Sequence, residues 1–174
     1  MYNTQYGIKE KPIDMKKLFI IVLLLTVTKA NINAQEIYDY LLDKSEQVIN
    51  NPQSNNFDLK VAQFKATAMR YFRRNIILQE GSISSTWLDE QALALNEFIT
   101  NFLVELSQNS NGSDDARKKI IMRYCEASAN HTLFKNVDKE EAESFISDKG
   151  GYTPFCLNTN WVKALAESKD KKKE

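Results

Sequence analysis

Leu88, Ala92, Leu95, Ile99, Phe102 and Leu106 follow one another in alternating steps of four and three residues. That spacing lines one side of an α-helix, whereas a strand would turn successive side chains to opposite faces. Phe98 and Leu103 widen the stripe into a broad apolar face, so this segment must lie against other parts of the chain. Thr86-Trp87-Leu88-Asp89 reads as a capping box, with the Thr86 hydroxyl accepting from an orphan amide and Asp89 reaching back. Gln108-Asn109-Ser110-Asn111-Gly112 closes the helix.

The same period recurs along the chain. Glu36 to about Ile49 predicts a helix with Ile37, Tyr40, Leu41, Lys44 and Val48 on one side, ended by a polar loop around Pro52. A second helix from about Asp58 to Leu78 carries Val61, Phe64, Ala68, Phe72 and Ile76, and Gly81 ends it. Ser113 is the expected N-cap of a fourth, with Asp114 and Asp115 suiting the helix dipole and Ile120, Ile121, Tyr124 and Ala127 facing inward. A short helix opening at Asp138, with Glu141 in the capping position, is expected to bury Ala142, Phe145 and Ile146. Lys149 to Pro154 reads as a turn. A last helix from Asn158 or Thr159 carries Trp161, Val162 and Leu165 and runs into a charged tail, Lys169 to Glu174.

Only 5 glycines and 3 prolines occur in 174 residues, too few for a turn-rich β-sandwich. No strand of alternating pattern stands out, and no repeat has a convincing period. The expected fold is therefore all-α: a compact single-domain bundle of five or six helices. The two long helices, joined by a loop of about six residues, form an antiparallel hairpin at its centre.

Met15-Lys16-Lys17 followed by the apolar run Leu18 to Val27 reads as a secretory signal peptide. The run is shorter than the roughly 20 apolar residues of a spanning helix, and Lys29 follows at once, so a retained membrane anchor is the weaker reading. Cleavage is expected after Ala34, with Ile32 and Ala34 at the recognition positions, or after Ala30 with Thr28 before it. Residues 1–14 do not resemble a short basic leader, so the functional start is expected at Met15, with a long n-region as the alternative. No cysteine adjoins the cleavage site, so a lipid anchor is not expected. Residues 1–34 are thus an upstream extension and signal, and 35–174 the helical domain, exported to the periplasm or the outside. Without residues 1–34 the chain has 140 residues and a net charge of −3, from 18 basic and 21 acidic side chains. Such a domain has no electrostatic reason to seek nucleic acid.

The chemistry-bearing residues are few. His131 is the one histidine, and no Cys-x-x-Cys or paired-histidine spacing is present, which excludes the usual zinc sites. Phosphate-binding glycine loops and a Gly-x-Ser-x-Gly elbow are also missing, so neither metal nor cofactor is expected. Cys125 and His131 could form a nucleophile and base, but a packed cysteine and a loop histidine is the favoured reading. Cys125 and Cys156 could bond in an oxidising compartment, for roughly 3–4 kcal/mol by the chain-entropy model, or remain buried thiols. The acidic groups Asp89 with Glu90, Asp114 with Asp115, and Glu140, Glu141 and Glu143 sit at expected helix starts, where capping explains them better than hydrolysis does.

Candidate contacts are two basic clusters, Arg70-Arg73-Arg74 and Arg117-Lys118-Lys119-Arg123, which could align into one patch or form solvated helix faces. Phe134, Tyr152 and Phe155 fall in expected loops, suiting an interface or a lid folded over the core.

The stretch from Arg123 through Asn130-His131-Thr132-Leu133-Phe134, and then Thr153-Pro154-Phe155-Cys156-Leu157-Asn158-Thr159-Asn160-Trp161-Val162-Lys163-Ala164-Leu165, resembles small secreted helical proteins of gut-dwelling Gram-negative bacteria. The resemblance implies export and an all-helical fold and transfers no functional residue. The expected role is a non-catalytic binding module with a protein or envelope component as partner. A hydrolase with dispersed carboxylates, or a bundle holding a small apolar molecule, is the alternative.

Overall fold

A computed structural model of the chain describes residues 36–82, 84–134, 143–148, 151–170 and 172, with backbone alone for 36, 143–148 and 151–154. The export signal, the start at Met15, the Asp138 and Glu141 cap and the ends of the charged tail lie outside those residues. Five helices are described: α1 (Glu36–Asn50), α2 (Asn56–Glu80), α3 (Ser85–Gln108), α4 (Asp114–Asn130) and α5 (Trp161–Asp170). The expected all-α bundle is what the chain forms, with one small addition. Between α4 and α5 lies an antiparallel hairpin of β1 (Glu143–Asp148) and β2 (Gly151–Cys156).

That hairpin replaces the short helix expected around Phe145 and the turn expected at Lys149 to Pro154. Ala142, Phe145 and Ile146 have helical spacing, but Ser144-Phe145-Ile146-Ser147 and Tyr152-Thr153 are equally good strand formers. Asp148 pairs with Gly151, leaving two residues for the connection, the commonest hairpin length. A partner strand six residues long resolves a segment that local spacing leaves ambiguous. β1 lies along α2 and β2 along α4.

The long helices α2 and α3 pair antiparallel as expected. Phe72 meets the Trp87 ring at 5.8 Å, and further along Lys65 Nζ reaches Asn96 Oδ1 at 2.8 Å. α1 lies against both. α5 packs on α3 and α4 at the other side. The residues expected on the α2 and α3 stripes are buried, from Val61 to Ile76 and from Leu88 to Leu106. At the centre, Phe64, Phe98, Phe102, Tyr124, Phe155 and Trp161 form a nest of edge-to-face and tilted rings with centroids 5.0–6.0 Å apart.

Local signals set most helix ends. Asn55 Oδ1 accepts from Asp58 N at 2.9 Å, Ser113 Oγ accepts from Ala116 N at 3.3 Å, and Gly81 closes α2 at φ +68°. The cap of α3 is Ser84, whose Oγ accepts from Trp87 N at 3.4 Å, not Thr86. Asp89 therefore does not serve its own helix. It is buried, and its Oδ1 accepts from Tyr38 N at 2.8 Å, satisfying an amide in the first turn of α1. α1 is also rotated from its expected register: Tyr38, Leu41 and Ser45 face inward, and Tyr40 faces out.

α5 begins at Trp161, later than Asn158 or Thr159, because those two residues are committed elsewhere. Asn158 clamps the backbone of Phe134, its Oδ1 accepting from Phe134 N at 2.7 Å and its Nδ2 donating to Phe134 O at 2.5 Å. Thr159 bridges to Thr132, and its Oγ1 donates between Ser128 O and Cys156 O. Gln91 reaches across from α3, its Oε1 accepting from Trp161 N at 2.8 Å. These bonds hold the start of α5 against the end of α4.

Candidate functional site

The clusters singled out in the sequence are separated by the fold. Arg70 pairs with Glu46 at 2.6 Å, Arg73 lies 3.8 Å from Asp39 and over the Tyr38 ring, and Arg74 lies over the Tyr71 ring. Arg70 and Arg73 thus tie α2 to α1. Arg123 pairs with Glu105, which also accepts from Tyr124 Oη at 2.8 Å and lies 3.6 Å from Lys172. α2 and α4 are not neighbours, so the two clusters do not join into one patch. Lys118 and Lys119 remain exposed on α4, beside the half-buried Arg117.

Phe134 and Phe155 are core residues, not surface contacts: they are buried, and Phe155 sits within the aromatic nest. Their segments lack regular helical period, yet the Asn158 clamp and the β2 pairing carry the rings inward. The Tyr152 side chain lies outside the described residues, as do Glu140, Glu141 and the Glu143 side chain. Asp114 and Asp115 stand exposed in the first turn of α4, as capping requires. The His131 Nε2 pairs with the Glu167 carboxylate. Cys125 and Cys156 are half-buried against the core on packed elements, and the structure forms no disulfide between them. Among the described residues no group of three or more His, Cys, Asp or Glu could hold a metal ion. Nor is any helix among the described residues long and apolar enough to cross a membrane.

The chemically unusual residue is one that the sequence reading passed over. Lys65 lies on α2 four residues from both Val61 and Met69, at the edge of the apolar stripe. Lysines there usually run their stems along the core and keep the ammonium in water. Lys65 cannot, because α1 covers one side of α2 and α3 the other, and it is only 3% exposed. Its Nζ donates to the neutral Asn96 Oδ1 at 2.8 Å. Leu41, Ser45, Met69, Ala92 and Leu95 complete a crevice too narrow to seat a water molecule. Ser45 is turned to its own helix, its Oγ donating to Leu41 O at 3.0 Å.

No carboxylate lines this crevice. Removal from water therefore acts on the lysine unopposed and lowers its pKa to about 7. An amine that is half neutral near pH 7 can act as base or nucleophile, which an exposed lysine cannot do efficiently. The signal available in the sequence was a lysine flanked at both four-residue steps by apolar residues. Burial of Asp89 and Tyr38 similarly pushes the carboxyl and the phenol upward. Comparison with protein-family models, with curated proteins and with solved structures yields no match to this chain.

Proposed function

We propose that the chain is an exported, non-catalytic helical binding module that meets a protein of the cell envelope or secreted fraction through the outer face of α4. The observation that carries this reading is the contrast between the two basic clusters. Arg70 and Arg73 are engaged by acids of α1, and Arg123 by Glu105. Lys118 and Lys119, by contrast, stand exposed, with Met122 one turn on and 59% exposed. Residues three and four apart share a helix face, so two cations and a flexible apolar side chain are offered together. The N-terminal signal supplies the export half of the reading.

The test is capture of partners by the tagged chain from its own envelope and medium, beside a variant carrying Lys118→Glu, Lys119→Glu and Met122→Asp. All three positions are exposed, so the variant folds with an unchanged circular dichroism spectrum. A partner recovered by the parent chain and lost by the variant supports the reading. Equal recovery by both, or recovery of the bait alone, refutes it.

A further inference from the structure

We infer that Asn111 is a self-modification site: the backbone nitrogen of Gly112 attacks its side-chain amide, and the loop between α3 and α4 acquires an aspartate or isoaspartate. Asn111-Gly112 is the one Asn-Gly step in the chain. A side chain after the asparagine would shield the attacking nitrogen, and glycine has none. The fold leaves the pair open to water. α3 ends at its cap Asn109 and α4 starts at Asp114, and between them Asn111, Gly112 and Ser113 are all exposed. Among the described residues the Asn111 amide makes no hydrogen bond. Other asparagines are held: Asn109 Nδ2 donates to Glu105 O at 2.9 Å, and Asn55 is tied to Asp58 by both its Oδ1 and its Nδ2. One contact opposes the step, since Gly112 N donates to Asn109 O at 3.0 Å. It lies in the exposed loop, and opening such a bond holds the attack back only about fivefold.

The reaction needs only water, and nothing is oxidised or reduced. The Gly112 nitrogen gives up its proton and bonds to Asn111 Cγ. The bond from Cγ to Nδ2 breaks, and Nδ2 leaves as ammonia with that proton, so a cyclic imide remains. Water then opens the imide at either carbonyl. Cleavage of the new bond gives aspartate in a normal backbone. Cleavage of the original peptide bond gives isoaspartate, whose main chain runs through Cγ with an added methylene. Either product brings a carboxylate to the loop before Ser113, the cap of α4, where the helix dipole favours negative charge. The isoaspartate also lengthens the link between Asn109 and that cap. This site is separate from the outer face of α4, and either proposal can fail without the other.

The experiment ages the folded chain in neutral and in mildly alkaline buffer and digests it in acid, which halts the reaction. Mass spectrometry with electron-transfer fragmentation then separates asparagine, aspartate and isoaspartate at each position. The expected result is conversion of Asn111 at least about tenfold faster than of Asn109 or Asn55, from the unshielded nitrogen and the free amide together. Isoaspartate and aspartate should both form, and faster in alkali, because the attacking nitrogen must lose its proton. Gly112→Ala should slow the conversion by about tenfold, its added methyl shielding the nitrogen. Circular dichroism shows that this variant keeps the fold. Conversion of Asn111 no faster than of Asn109, or equal rates in the parent and Gly112→Ala chains, overturns the proposal. So does an Asn111 that reacts only after the chain is unfolded in urea.

Discussion

Replacing Lys65 by methionine should make this protein more stable, and by an amount that depends on pH. The folded lysine has a pKa of about 7 against 10.5 for the open chain. At about 1.36 kcal/mol per pH unit, that difference corresponds to a burial penalty of roughly 5 kcal/mol in acid and neutral solution. Between the two values the unfolded chain binds the proton and the folded chain does not, so stability rises with pH. The penalty is complete below pH 7 and fades above it, and the parent protein should gain about 2 kcal/mol between pH 7 and pH 9. Higher still, Tyr38 and Tyr124 reverse the slope, because burial holds their phenols protonated in the fold after the unfolded chain has released them. Methionine matches the unbranched stem and removes the charge, at a cost of about 1 kcal/mol for the hydrogen bond to Asn96. Lys65→Met should therefore be more stable by roughly 3 kcal/mol at pH 7 and by only about 1 kcal/mol at pH 9. Urea unfolding followed by circular dichroism at four pH values between 6.5 and 9 measures both quantities. A variant no more stable than the parent, or one with the same rise between pH 7 and 9, would refute the argument that Lys65 is buried without a compensating charge.

Three further outcomes follow from the packing. Phe155→Ala removes a ring from the centre of the aromatic nest and should cost about 3–5 kcal/mol in urea unfolding, whereas a surface role would leave stability unchanged. Asp89→Ala should cost about 1–2 kcal/mol and speed hydrogen exchange of the Tyr38 amide; Asp89→Asn, which keeps an acceptor, should cost less. Because burial raises the Asp89 carboxyl, the folded state holds its proton to higher pH than the unfolded chain, so this group's contribution falls as pH rises through the carboxylate range. Gly81→Ala places a Cβ at φ +68° and should lower stability by about 1 kcal/mol, although the space around it is open.

Much of the architecture was legible because it is written in short-range patterns. The α3 stripe from Leu88 to Leu106, the α2 stripe from Val61 to Ile76, the Ser113 cap and the Gly81 stop each depend on residues within a few turns of one another. The antiparallel pairing of the two longest helices follows from the short link between them. Where several local readings competed, the choice among them was less secure. Ser84 and Thr86 flank the first residue of α3 and are both cap-type residues, yet only Ser84 caps it; Phe145 and Ile146 fit a helix or a strand equally well.

The candidate site was almost invisible beforehand, for a physical reason. A lysine among apolar residues has the same sequence whether its ammonium reaches water or not. Its chemistry changes only when α1 and α3 close over α2 and leave Asn96 as its neighbour. The arginines show the converse. Arg70, Arg73 and Arg123 look like a binding surface along the chain, yet glutamates and an aspartate 18 to 34 residues away occupy them. Periodicity and capping act over a few residues, so helices, their ends and their apolar faces could be read directly. Burial, partner choice and pKa arise where distant segments meet: Asp89 with the start of α1, Asn158 with Phe134, and Lys65 with Asn96. Only the folded arrangement turns those residue types into a cap, a clamp and a dry amine.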